Sequence, residues 1–127
     1  MDSMIKNLLV VAIALLTPIH AIMISVFVLV FCDLILGILA ARKRGESISS
    51  SGMRRTIVKI LSYQAVIICG FLVETYMMGG ILPLSKMLAS LIGVVEMKSL
   101  LENADEIHGS SIFKKVIEKL GSDNDVK

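Results

Sequence analysis

The chain has 127 residues, enough for one domain, and 55% of them are Ala, Val, Ile, Leu, Met, Phe, Trp, Tyr or Cys, with a mean hydropathy of +0.81. Soluble domains carry about 45–50% apolar residues, and here the 19% of charged residues crowd into 42–55 and 96–127. Lipid is therefore the natural solvent. Trp is absent, Tyr occurs twice and the net charge is only +2, which disfavours aromatic platforms for sugars or bases and an extended basic stripe for nucleic acid.

In chain order, the first apolar segment, 4–16, carries Lys6 and Asn7 and stops at Thr17-Pro18. As a helix it reaches about 20 Å, short of a hydrocarbon core of about 30 Å. Lys6, the apolar run from Leu8 and Ile19-His20-Ala21 also resemble the three regions of a secretory signal peptide; uncleaved, the segment becomes a short anchor or an interfacial helix. The second segment, 19–41, has a single charge, Asp33, and the third, 57–78, has Lys59 at its start and Glu74 near its end. Each is about 33 Å long as a helix and matches the bilayer. The fourth, 81–101, carries Lys86, Glu96 and Lys98 toward its ends, where long side chains snorkel or face protein.

Between the second and third segments, 42–55 holds Arg42, Lys43, Arg44, Arg54 and Arg55 among Ser and Gly, which predicts a flexible loop on the cytoplasmic side. The connection 77–83 is uncharged and suits a tight external hairpin. After Leu101 the composition turns polar, with a break at 108–111. Ile112, Phe113, Val116, Ile117 and Leu120 then share one helical face opposite Lys114, Lys115, Glu118 and Lys119, with Gly121 as a stop. The expected architecture is all-α: an integral membrane domain over 1–101 with three to four transmembrane helices, then a cytoplasmic amphipathic helix and a disordered tail over 102–127.

Small and polar residues recur every four positions within these segments. The series are Ser25, Leu29, Asp33, Gly37 and Ala41; Ser62, Val66, Gly70 and Glu74; and Ser85, Ala89 and Gly93. Such seams point to helix association or a pore lining, because lipid tails would reward Leu or Phe there equally well. Asp33, mid-span, costs about 2.5–3.5 kcal/mol to insert alone. It needs a partner: the readings are a water-accessible interior or a contact shielded by neighbouring copies, against a protonated or Ser-bonded carboxyl that fixes the fold. Cys32 and Cys69 read as small apolar fillers, and His20 and His108 are too far apart to form a metal site. No nucleophile with its base, phosphate loop or zinc signature is present, so neither catalysis nor a cofactor is expected.

Three stretches in order, Cys32-Asp33-Leu34-Ile35-Leu36-Gly37, then Ser49-Ser50-Ser51-Gly52-Met53-Arg54-Arg55-Thr56, then Glu96-Met97-Lys98-Ser99-Leu100-Leu101-Glu102-Asn103, resemble the phage-lysis and toxin-secretion holin family. The resemblance covers about residues 27–120. It departs from many relatives at Glu106-Ile107-His108-Gly109, where they carry a Pro-rich approach to the last helix. It implies a small multi-pass protein of the bacterial inner membrane that self-associates and opens a lesion for an endolysin or toxin, leading to host cell lysis. Asp33 and Gly37 match its first motif; Glu96, Ser99, Glu102 and Asn103 match its last. The competing readings are a small proton-coupled transporter, a membrane kinase of the diacylglycerol type built on Glu96, Glu102 and Asn103, and a structural membrane subunit of a phage or secretion machine.

Overall fold

The computed structural model describes residues 2–122, and all regular structure among them is helical. Helix α1 is Ser3–Leu16, joined through a single 3-10 turn, Thr17–Ile19, to α2, His20–Lys43. Helix α3 is Ser50–Leu72 and continues as a π-helical turn, Val73–Met77; α4 is Leu84–His108 and α5 is Ile112–Ser122. The tail expected to be disordered falls, from residue 123 onward, outside the described residues.

Helix bounds differ from the expectation where polar residues were taken as breakers. Helix α3 starts at Ser50, seven residues ahead of its apolar run, because the Ser49 side chain caps it by accepting from the Gly52 N–H at 3.3 Å. Arg54 and Arg55 are therefore helical, and the connecting loop shrinks to 44–49. Helix α4 likewise continues past Leu101 to His108, which places Glu102, Asn103 and Asp105 on the same helix as Glu96 and Ser99. Gly109 at φ +65° ends it in the left-handed region. Helix α5 runs through Gly121 to Ser122 instead of stopping at the glycine. The connection between α3 and α4 turns on Gly79 and Gly80, at φ +61° and +76°.

Helices α2 and α4 run parallel, with α3 antiparallel between them in the chain. Leu29 lies against Gly93, Asp33 against Ser99, and Lys43 against the last carbonyls of α4. Gln64 donates to the Met23 carbonyl at 3.0 Å, and Gly70 sits on Ser85 and Leu88. The apolar core, Ile19, Val26, Val30, Ile67 and Phe71, with Ala89 and Ile92 packed on it, occupies only the half of the bundle nearer the glycine hairpin. The outer faces stay apolar and exposed: Phe27 and Phe31 stack on each other there, beside Ile24 and Ile35. Two stretches, Ser3–Lys43 and Ser50–Met77, are long and apolar enough to cross a membrane.

The helix ends away from the glycine hairpin are tied by side chains. Lys43 donates to the carbonyls of Glu106 at 3.0 Å and Ile107 at 2.8 Å, closing the C-terminus of α4, where a cation also meets the negative end of the helix dipole. Arg44 pairs with Glu46 and Glu106, and this hydrogen-bonded guanidinium holds the Glu46 carboxyl below its ordinary value. Asp105 accepts from the N–H groups of Phe113 and Lys114 at 3.0 and 2.7 Å, capping α5 from the preceding helix.

Two outcomes test this packing. A Cβ on Gly70 would lie 2.7 Å from the end of Leu88, which a flexible side chain relieves, so Gly70→Ala is expected to be mild. Gly70→Leu should lower the unfolding free energy in detergent by about 1–3 kcal/mol. Asp105→Ala should weaken α5 by about 0.5–2 kcal/mol, seen as faster amide exchange over 112–118 with exchange in α2 unchanged.

Candidate functional site

One helical face of α4 carries Glu96, Ser99 and Asn103, spaced three and four apart, and α3 presents Lys59 and Tyr63 one turn apart. Both meet Asp33 of α2. Lys59 Nζ lies 3.2 Å from Asp33 Oδ2 and 2.8 Å from Glu96 Oε2, so one ammonium bridges two carboxylates. Asp33 Oδ1 accepts from the Ser99 hydroxyl at 2.8 Å and the Asn103 amide at 3.1 Å. The Tyr63 hydroxyl donates to Glu96 Oε1 at 2.8 Å. Glu96 is 0% exposed, the Asp33 side chain 12% and the Lys59 side chain 32%.

The partner of Asp33 is thus inside its own chain. Shielding by neighbouring copies is not needed to explain its tolerance, because Lys59, Ser99 and Asn103 already satisfy it. Lys59 is nine residues into α3, about 14 Å from the helix start; taken as a start-of-span residue, it could not be matched with a mid-span carboxylate. Asp33, ten residues from Lys43, stands at a similar depth, about 15 Å. Two acids and one base leave the fully ionised cluster with one excess negative charge.

The remaining seam residues divide. Gly37 brings α2 close to Asn103, where an added Cβ would stand 3.6 Å from its Nδ2. Gly70 and Gly93 face Ser85 and Leu29 across α3–α4 and α2–α4 contacts. Glu74 accepts from both the N–H and the hydroxyl of Ser85, at 2.9 and 2.7 Å, so it holds the start of α4 rather than standing hydrated at a helix end. Ala89 packs on the core. Ser62 and Val66 are exposed and form no seam. Ala41 lines a cavity of about 300 Å³ between α2, the 45–49 loop and the start of α3, which reaches Asp33 and Asn103 inward and Glu46 and Arg55 outward. Glu102 points away from the cluster and lies 4.0 Å from Lys98 on its own helix face. Cys32 and Cys69 are free thiols, and among the described residues no group of three His, Cys, Asp or Glu side chains is arranged to hold a metal.

The geometry supplies an enclosed ion pair and hydrogen-bond donors but no nucleophile beside a general base. Residues 10–122 match the model of the bacteriophage holin family. The chain belongs to the bacteriophage holin family. That family is one of membrane proteins and not of enzymes, in keeping with a helical bundle whose outer faces are apolar. No curated protein and no solved structure matches the chain. In this holin, Asp33, Glu96, Ser99 and Asn103 converge on one point, together with Lys59 and Tyr63, which the search for motifs passed over. Their signal was the four-residue spacing of Lys59 and Tyr63 on an otherwise apolar helix.

Removing the bridging cation should cost more than removing the whole cluster. Lys59→Met leaves two buried carboxylates facing each other, and a loss of about 3–5 kcal/mol is expected. The triple change Asp33→Asn, Lys59→Met, Glu96→Gln should recover most of it, measured as unfolding midpoints in the same detergent.

Proposed function

We propose that this holin spans the inner membrane three times, through α2, α3 and α4, gathers into assemblies of many copies and opens a lesion that releases an endolysin or toxin, ending in host cell lysis. The basic residues Arg42, Lys43, Arg44, Arg54 and Arg55 then mark the cytoplasmic side, by the excess of Lys and Arg in cytoplasmic loops. The third span, α4, is 25 residues long, about 37 Å. Its one mid-helix acid, Glu96, is turned inward; Lys86 lies near the hairpin end, and Lys98, two residues beyond Glu96, is exposed and reaches along the helix toward Glu102.

The observation that carries this reading is the closed interior of the bundle. One half is bridged by the Lys59 cluster, beside a cavity of only about 300 Å³, and the other is filled by the Val26–Ile67 core, so a single chain encloses no passage for a protein. Any protein-sized opening must form between copies, and the apolar outer faces are the surfaces on which copies meet. The ion pair also makes each bundle sensitive to the membrane field. Charge moved across it is worth about 2.3 kcal/mol per 100 mV.

Inducible expression in a bacterial host, followed by a potential-sensitive dye and a cytoplasmic reporter of protein size, tests the proposal. Abrupt, simultaneous loss of potential and reporter is expected after a delay, and Asp33→Asn should shift the onset. Cells that remain viable and polarised at high membrane levels of the protein would overturn it. Release of ions without the reporter would favour the transporter reading.

A further inference from the structure

Helix α5 covers only one edge of its apolar face. Ile117 is half-buried and borders a hollow of about 540 Å³ together with Met97 and Leu101 of α4. Ile112, Val116 and Leu120, spaced four apart, stay exposed, Ile112 by 63% and Leu120 by 66%. Each residue turns the helix by about 100°, so these three span an arc of about 80° beside the Phe113–Ile117 edge. Lys115 and Lys119 border that arc next to Ile112, and Lys114 and Glu118 complete the polar side. With 11 residues, the helix is too short to be stable alone in water, where about 12–15 are needed.

The depth of the exposed arc is fixed by contacts already described. Lys43, the last residue of α2, meets the carbonyls of Glu106 and Ile107, so the ends of α2 and α4 are level. Asp105 accepts from the Phe113 and Lys114 N–H groups, so α5 starts within a turn of that level. From there it leans back along α4, because Ile117 shares its hollow with Leu101, four residues before Asp105 and about 6 Å nearer the middle of the bundle. With Lys43 at the cytoplasmic face, the arc stands where acyl chains meet headgroups; interfacial helices sit about 5–10 Å into that boundary. A soluble partner is poorly placed to reach it. Three lysines against one glutamate also give α5 the sign of charge that anionic lipids attract, and Arg42, Arg54 and Arg55 stand exposed at the same face.

We propose that α5 is seated in the anionic lipid surface of the cytoplasmic leaflet, with Ile112, Val116 and Leu120 among the upper acyl carbons and Lys114 and Lys115 at the lipid phosphates. The inference rests on the three-span reading above and adds a lipid contact outside the spans. Because Asp105 joins the first turn of α5 to the last turns of α4, lipid held by α5 also holds α4 at its depth.

Nitroxide collision measurements on the full chain in lipid nanodiscs test it, with Cys32→Ala and Cys69→Ala as background. Labels are placed singly at Val116→Cys on the arc, Glu118→Cys on the polar side and Val94→Cys on the exposed face of α4. In discs of two parts phosphatidylcholine to one part phosphatidylglycerol, the label at 116 is expected to collide with oxygen in preference to a neutral, water-soluble nickel chelate, and the label at 118 the reverse. Discs of phosphatidylcholine alone should raise nickel collision at 116 by about threefold or more, and Lys114→Gln with Lys115→Gln should produce the same rise in the anionic discs. Equal nickel collision at 116 and 118 in the anionic discs would overturn the proposal. Protection of 116 from both reagents would overturn it too, by assigning the arc to a protein contact, and indifference to phosphatidylglycerol would refute the phosphate contact. The label at 94 keeps the two ideas apart. Oxygen collision there beside a water-exposed 116 refutes the lipid seat and leaves the three spans standing; nickel collision at 94 refutes both.

Discussion

Lys59 standing between Asp33 and Glu96 is the constraint to which the other contacts conform. Water is absent from the hydrocarbon, so helices gain nothing there by hiding apolar side chains from solvent. Polar contacts decide how they meet. Because the two carboxylates come from α2 and α4 and the ammonium from α3, the bridge fixes three helices at one depth and in one rotation. Ser99, Asn103 and Tyr63 complete the satisfaction of both acids, and Gly37 exists where α2 must come close enough for Asn103 to reach Asp33.

From that depth the remaining contacts follow in both directions. Away from the hairpin, Lys43 and Arg44 fasten the end of α2 to the end of α4, and Asp105 hands the chain on to α5. Toward the hairpin, Gln64 binds the α2 backbone, Gly70 admits Leu88 and Ser85, and Glu74 anchors the start of α4. A bundle assembled this way has turned most of its mid-helix polar groups inward. What remains outside is mainly aliphatic and aromatic surface, broken by Ser25, Ser62, Ser90 and Lys98.

Membrane class and the helical architecture were legible because a long apolar run interrupted by one acid has few physical readings. The breaks at Thr17–Pro18 and Gly109 were legible for the same reason, since Pro and Gly act locally. The partner of Asp33 was not. Pairing across 26 residues depends on the relative depth of two helices, and depth depends on where each helix begins. Ser49 as a cap moved the start of α3 seven residues and put Lys59 about a third of the way along the helical stretch, level with Asp33. Lys98, two residues from Glu96, is not at helical pairing distance, and the groups that do meet Glu96, Lys59 and Tyr63, come from another helix. The holin motif residues were read as separate stretches; only the parallel packing of α2 on α4 shows that three of them share one hydrogen-bond network.

The bundle is built in two unlike storeys. Close-fitting hydrocarbon occupies the storey by the glycine hairpin, whereas the opposite storey is held by charge attraction, with the cavity at Ala41 leading from the loop directly to Asp33. Electrostatic attraction weakens several-fold as the local dielectric rises toward that of water, while shape-matched packing does not. Hydration entering by that route would loosen one storey and spare the other, so the three helices would part like tongs about a dry pivot. The same molecule can then be inert while dry and splayed once wetted, with no change in its covalent structure or its membrane topology.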